Sequence, residues 1–191
     1  MKKVTLFSFF AFFIFTGCAS TNSVIQPNIP KTGAQSVPMG ILVTREAATY
    51  MRTPYASPAN VPVTFDCSSF VSHVFSQFGY NLPKGSAAYG TAGKKITWEE
   101  AEPGDILVFA REKGSSVIDH VAILWKKSDS GKLAGSWIIH AASINTGTSL
   151  QRGNPDTKTG VVITQLGLRG DGIVENEYFY QRFMHCARVL E

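Results

Sequence analysis

Cys67, His120 and His140 are the three side chains whose types and spacing could carry a reaction. Cys67 lies in Thr64-Phe65-Asp66-Cys67-Ser68-Ser69-Phe70-Val71. Asp66 is a good N-cap, because its carboxylate can accept from the first free backbone N–H groups of a helix. That would put Cys67 in the first turn, where the positive end of the helix dipole favours a thiolate. Phe70, Val71, Val74 and Phe78 follow at spacings that share the cysteine's face, so the sulfur should point at whatever the helix packs on. The bland alternative is a buried cysteine acting as a small hydrophobe.

His120 and His140 bracket Ser128-Asp129-Ser130-Gly131, a turn signal between two β-rich runs. Residue 130 is their midpoint. An antiparallel hairpin folded there would place the two imidazoles opposite or nearly opposite each other on one face. A slip of one residue would separate them. A cysteine nucleophile, an imidazole that takes its proton and a second polar group that fixes the ring's tautomer make a complete set for acyl transfer. Asp119 precedes His120 and should point to the other face. One cysteine and two histidines could also bind zinc, but the sequence lacks a compact C-x-x-C or H-x₃₋₅-H pair. His73 falls off the apolar face of its helix, and His185 lies in a strand-like run without an evident polar partner.

Several elements must hold these residues. Arg45 to Arg52 suits a short helix that ends before Pro54. The Cys67 helix follows a Pro-rich loop and stops near Gly79. Leu82 to Trp98 reads as irregular with a short helix. Ile106–Ala110, His120–Trp125, Ser136–Ala141, Val161–Thr164 and Phe183–Leu190 read as strands. Helix first and antiparallel strands after give an α+β class, with the nucleophile helix packed on an antiparallel sheet.

The chain has three cysteines and carries a formal charge of +4. Met1-Lys2-Lys3 and the apolar run from Val4 to Phe15 form the n- and h-regions of a secretory signal. This run is shorter than the ~20 residues a membrane span needs. Thr16-Gly17-Cys18 resembles the lipobox of bacterial lipoproteins, which implies cleavage after residue 17 and lipidation of Cys18. Ala19 in the next position points to an outer membrane, facing the periplasm. Removal of residues 1–17 leaves 16 Lys and Arg against 14 Asp and Glu, a balance that gives no reason to expect nucleic acid. Residues 18–40 are rich in Ser, Thr, Asn, Gln, Pro and Gly and read as a tether. Residues 41–191 are one domain's worth of chain. Cys67 and Cys186 could pair in an oxidising compartment, but the apolar setting of Cys186 favours an inert thiol.

Phe65-Asp66-Cys67-Ser68-Ser69-Phe70-Val71 resembles the nucleophile motif of the NlpC-type cell-wall cysteine peptidases, which have a papain-like core. The resemblance continues through Tyr80-Asn81-Leu82-Pro83-Lys84, Pro103-Gly104-Asp105-Ile106 and Asp119-His120-Val121-Ala122-Ile123. It implies Cys67 as nucleophile, His120 as base and His140 as orienting residue, with no cofactor. It also implies Tyr55 beside the nucleophile as an aid to the oxyanion, and Asp66, Ser68 and Ser86 along the cleft. The implied partners are peptidoglycan stem peptides, cut between D-Glu and the following diamino acid, and a membrane reached through the lipid. Two positions depart from the family pattern: Ser69 replaces a glycine, and Ser57-Pro58-Ala59-Asn60 replaces a glycine pair. Segments 126–135 and 145–174 are longer than a minimal member needs. The competing readings are a related thiol amidase or acyltransferase on another substrate, and an inactive binding module.

Overall fold

The computed structural model describes residues 36–142, 160–168, 174–175 and 177–190. The signal, Cys18, most of the tether and much of segment 145–174 lie outside them. Helix α1 spans Met39–Thr49 and begins well ahead of the expected Arg45–Arg52 helix. Its start is set by packing. Val43 and Ala47, one turn apart, are buried. Gly40 lies so close to the Pro103–Gly104 turn that a Cβ there would run into the Pro103 carbonyl.

Helix α2 spans Cys67–Ser76. The Asp66 carboxylate accepts from the Ser69 N–H at 2.7 Å, and the Ser69 hydroxyl accepts from the Asp66 N–H at 2.9 Å. Ser69, a departure from the family motif, thereby closes a reciprocal capping box. The other end stops in a Schellman turn. Tyr80 N–H reaches the Phe75 carbonyl at 3.2 Å, Gly79 N–H reaches that of Ser76 at 3.1 Å, and Gly79 adopts φ 83°. The Tyr80 ring meets Phe75 edge-on at 6.3 Å, the apolar contact that accompanies this stop.

A 3₁₀ turn over Ser86–Gly90 leads to eight short strands: β1 Lys94–Ile96, β2 Ile106–Ala110, β3 Ile118–Lys126, β4 Trp137–Ala142, β5 Gly160–Gln165, β6 Gly167–Leu168, β7 Val174–Glu175 and β8 Phe183–Arg188. A short helix, α3, covers Glu177–Tyr180. Six strands form one antiparallel sheet in the order β1-β8-β2-β3-β4-β5, and β6 pairs with β7. The fold is α+β, as the sequence implies.

Alternation along the strands gives the sheet two apolar faces. Ile106, Val108, Val121, Ile123, Ile139 and Ala141 pack with Phe70, Val71, Val74 and Phe75 of α2. Leu107, Phe109, Ala122, Leu124 and Ile138 form a second cluster with Phe179 and Cys186. Burial on both faces explains why β2 reads as an unbroken apolar run. Asp105, 2% exposed, anchors the start of β2 through a two-pronged bond to Arg188 of β8, at 3.0 Å to Nε and 2.8 Å to a terminal nitrogen.

Candidate active site

The capping box fixes the first turn of α2 and so the position of Cys67. Phe65 ties the preceding segment in place. Its N–H donates to the Pro54 carbonyl and its carbonyl accepts from Ala56 N–H, each at 3.0 Å. These two bonds bracket Tyr55 and hold it beside Phe65, two residues ahead of the cysteine. On the far side, the fully buried Tyr89 donates its hydroxyl to the Ser68 carbonyl at 3.2 Å. The nucleophile turn is therefore gripped from three directions.

The sulfur lies 3.9 Å from the Asp119 carbonyl oxygen and accepts from the Val121 N–H. These groups flank His120. They are available because the β3–β4 ladder pairs only Ile123, Leu124 and Lys126 with β4 and does not reach residues 119–121. Cys67 thus occupies the mouth of a splayed strand pair.

His120, on the strand end whose backbone touches the sulfur, meets His140 beside Phe179. Nε2 of His120 lies 2.8 Å from Nδ1 of His140, and Nε2 of His140 lies 2.9 Å from the hydroxyl of Thr164. Their register differs in detail from the hairpin centred on residue 130. Ile123 pairs with Ile139, so His140 faces Ala122 rather than His120. A bulge between Leu124 and Lys126 and the position of the turn account for the offset. The offset of two residues preserves the face, and the rings meet diagonally.

A consistent tautomer assignment follows from this chain. Neutral His120 carries its proton on Nε2 and donates to His140 Nδ1; His140 donates from Nε2 to Thr164. Nδ1 of His120 is then left to accept a proton. Among the described residues no hydrogen bond joins the sulfur to the His120 ring in this resting arrangement. Catalytic contacts of this type commonly tighten only when substrate is bound.

The electrostatics correct the expectation of a resting thiolate. Burial pushes the Cys67 thiol up to about 11, and the carboxylates of Asp66 and Asp119 add to the effect. Burial lowers His120 to about 3, with the Arg182 charge acting in the same direction, although the residue as a whole is only half-buried. Burial and the neighbouring His120 hold His140 well below the usual imidazole range. At neutral pH the site is thiol and neutral imidazole, because desolvation outweighs the helix-start field.

Phe179 supplies much of that enclosure. Its ring stacks on His120 at 4.7 Å and meets His140 edge-on at 4.9 Å. Neither Thr164 nor Phe179 is among the site residues that the sequence points to. The parity of Thr164 in an otherwise apolar strand is a usable signal for the first; nothing local singles out the second. Asp119, whose carboxylate sits 4.0 Å from Arg111 Nε, takes no part in the histidine chain.

A pocket of about 430 Å³ opens alongside α2, lined by Asp66, Ser68, Lys84 and Gly85 on one side and Pro58 and Val61 on another. Ser86 begins the 3₁₀ turn next to Gly85 but does not line the pocket. The Asp66 carboxylate accepts from the Ser68 hydroxyl at 2.9 Å as well as from Ser69. His73, which also borders the pocket, is 3.0 Å from the Tyr50 hydroxyl, and that hydroxyl donates to Glu46 at 2.9 Å. It pins α1 to α2. Cys186 is a free, fully buried thiol in the second cluster, Cys67 is free in the first, and no disulfide joins them. No group of three or more His, Cys, Asp or Glu among the described residues is placed to hold a metal.

The probable endopeptidase p60 of Listeria seeligeri is 40% identical over 81 residues, which are 42% of this chain and 15% of that protein. The gamma-D-glutamyl-L-lysine dipeptidyl-peptidase of Bacillus subtilis is 28% identical over 109 residues, 57% of this chain and 33% of that protein. The chain therefore matches well under half the length of these relatives. A crystal structure of an NlpC/P60 family protein from Bacillus cereus superposes with a TM-score of 0.59 at 21% identity, covering 81% of this chain and 41% of that one. Residues 52–163, which carry Cys67, His120 and His140, match the NlpC/P60 family, and the chain belongs to it.

Proposed function

We propose that this domain is a cysteine peptidase that hydrolyses an amide in the stem peptide of peptidoglycan. The observation that carries the reading is the His120–His140–Thr164 chain, whose His120 lies between the two backbone groups that touch the Cys67 sulfur. The names of the relatives, endopeptidase and γ-D-glutamyl-L-lysine dipeptidyl-peptidase, support the bond between D-Glu and the diamino acid.

As substrate enters, the Cys67 proton passes to Nδ1 of His120 and the sulfur attacks the carbonyl carbon. The Cys67 N–H at the start of α2 lacks an intrahelical acceptor and receives the oxyanion, with the Tyr55 phenol beside it. His120, now cationic, is held by His140. It gives its proton to the leaving nitrogen as the C–N bond breaks. Water, deprotonated by His120, then cleaves the thioester and restores the thiol. The acyl half of the stem lies along Asp66, Ser68 and Lys84, where a carboxylate and an ammonium offer sites for an amine and an acid. Residues 1–18 suit an envelope lipoprotein held on the outer membrane by Cys18 and facing the periplasm.

Digestion of defined tetrapeptide and tripeptide muropeptides, read by mass spectrometry, tests the reading. The expected cut follows D-Glu and is absent with Cys67→Ala. New termini between glycan and the first alanine would make it an amidase. Binding without any cut would make it a recognition module.

A further inference from the structure

A second pocket, about 310 Å³, is lined by Lys113, Tyr178, Gln181 and Arg182. It holds two cations and no carboxylate among its described lining residues. Lys113 comes from the β2–β3 loop that leads to His120. The other three come from α3 and the turn after it. Successive residues of α3 serve both places: Phe179 stacks on His120, and Tyr178 beside it, edge-on at 5.1 Å, carries the Arg182 guanidinium 3.5 Å above its ring. Stacking on an aromatic face pre-orients a guanidinium, so its N–H fork is ready for a planar anion. The Arg182 backbone is held independently of its side chain: its carbonyl accepts from Ala110 N–H at 2.8 Å and its N–H donates to Phe179 at 3.1 Å. The acid of the loop itself is Glu112, and Asp119, at the start of β3, lies 4.0 Å from Arg111.

The proton donor to a leaving amine must stand beside that nitrogen. Whatever carries the amine therefore lies on the His120 side of the site, to which α3 links this cationic pocket through Phe179 and Tyr178. Taking the peptidase reading as given, we infer that Lys113 and Arg182, with Tyr178 and Gln181, form a subsite for a carboxylate at the side-chain end of the residue that supplies the leaving amine. In a tetrapeptide stem the α-carboxyl of that residue is already an amide, so the side chain is what can present the charge. Diaminopimelate ends in a carbon that bears such a carboxylate together with an ammonium. Lysine ends in an ammonium, which two cations repel.

The test compares three tetrapeptide stems that differ only at this residue: diaminopimelate, its side-chain carboxamide, and lysine. The wild-type chain should cut the first with kcat/KM about tenfold or more above the other two, as expected for one charge-assisted contact. The difference should lie in KM and shrink at high salt, because the pocket is open to solvent. Arg182→Gln and Lys113→Gln should each erode the preference by raising KM for the diaminopimelate stem alone, and Arg182→Lys should restore part of it. Thermal melts of these variants should match wild type. Equal cutting of all three stems overturns the subsite while leaving the peptidase reading intact. A variant that loses all three substrates equally overturns it too, since that would be a structural effect. No cutting of any stem overturns the peptidase reading itself; calorimetry with Cys67→Ala then decides the subsite, which stands only if the diaminopimelate stem binds more tightly than its carboxamide.

Discussion

Phe179 and His120 lie face to face, ring centroids 4.7 Å apart and planes within 30°. The contact removes water from one side of the imidazole, and burial is the main reason His120 stays neutral far into acid. Only neutral His120 can accept the cysteine proton, so the acid limb of kcat/KM reports its ionisation. Phe179→Leu keeps an apolar cover but opens the stack. It should move the acid limb to higher pH, with little change near pH 8. An unmoved limb would mean that His120 titration does not govern the rate.

His140 has to accept from His120 at one nitrogen and donate to Thr164 at the other. His140→Asn or His140→Gln should keep more activity than His140→Ala, because an amide can supply the hydrogen bond without the charge. His120→Asn should lose about 10²–10⁴-fold, the usual worth of a general base. Thr164→Val leaves a buried donor without its acceptor and should cost about 1–3 kcal/mol in stability. Denaturant unfolding alongside steady-state assays would separate the two effects. Equal loss in all His140 variants would assign that residue a different task.

The two buried thiols should both be slow toward mild alkylation at neutral pH. Cys67 is raised to about 11 and Cys186 to about 12, and Cys67 alone has measurable exposure, 8% against 0%. Peptide mapping should find Cys67 labelled first, at a rate that climbs with pH through the alkaline range. A labelling rate that levels off below pH 7 would reveal a resting thiolate–imidazolium pair. Faster labelling of Cys186 would contradict the burial that distinguishes them.

Cys18→Ala tests the proposed anchor. The expected outcome is release of the protein from the membrane fraction, or accumulation of the unprocessed form. Normal processing with undiminished partitioning into membranes would remove the lipid from the account.

Much of the site can be read along the chain because its parts are local. Asp66, Cys67 and Ser69 sit within one helical turn, and period 2 carries His120 and His140 to one face even when the register moves by two. What escapes is what only tertiary structure brings near. Thr164 arrives from β5 and Phe179 from α3, and neither lies in a motif with the residues it touches. The protonation state escapes for the same reason. A helix start predicts a thiolate, but the sulfur's desolvation depends on β3, tens of residues away. Helix α1 begins early because Gly40 meets Pro103–Gly104, a contact no local propensity contains.

The last of the six main strands to be synthesised is not at the edge of the sheet. β8 is inserted between β1 and β2, and its Arg188 is what neutralises the buried Asp105. Until residues 183–188 leave the ribosome, β1 has no neighbour and β2 has an open side. Such long-range closure comes late and all at once. A chain still lacking residues 183–188 therefore leaves β1 unpaired and the Asp105 carboxylate without its cation, so the sheet closes only when partners 83 positions apart meet.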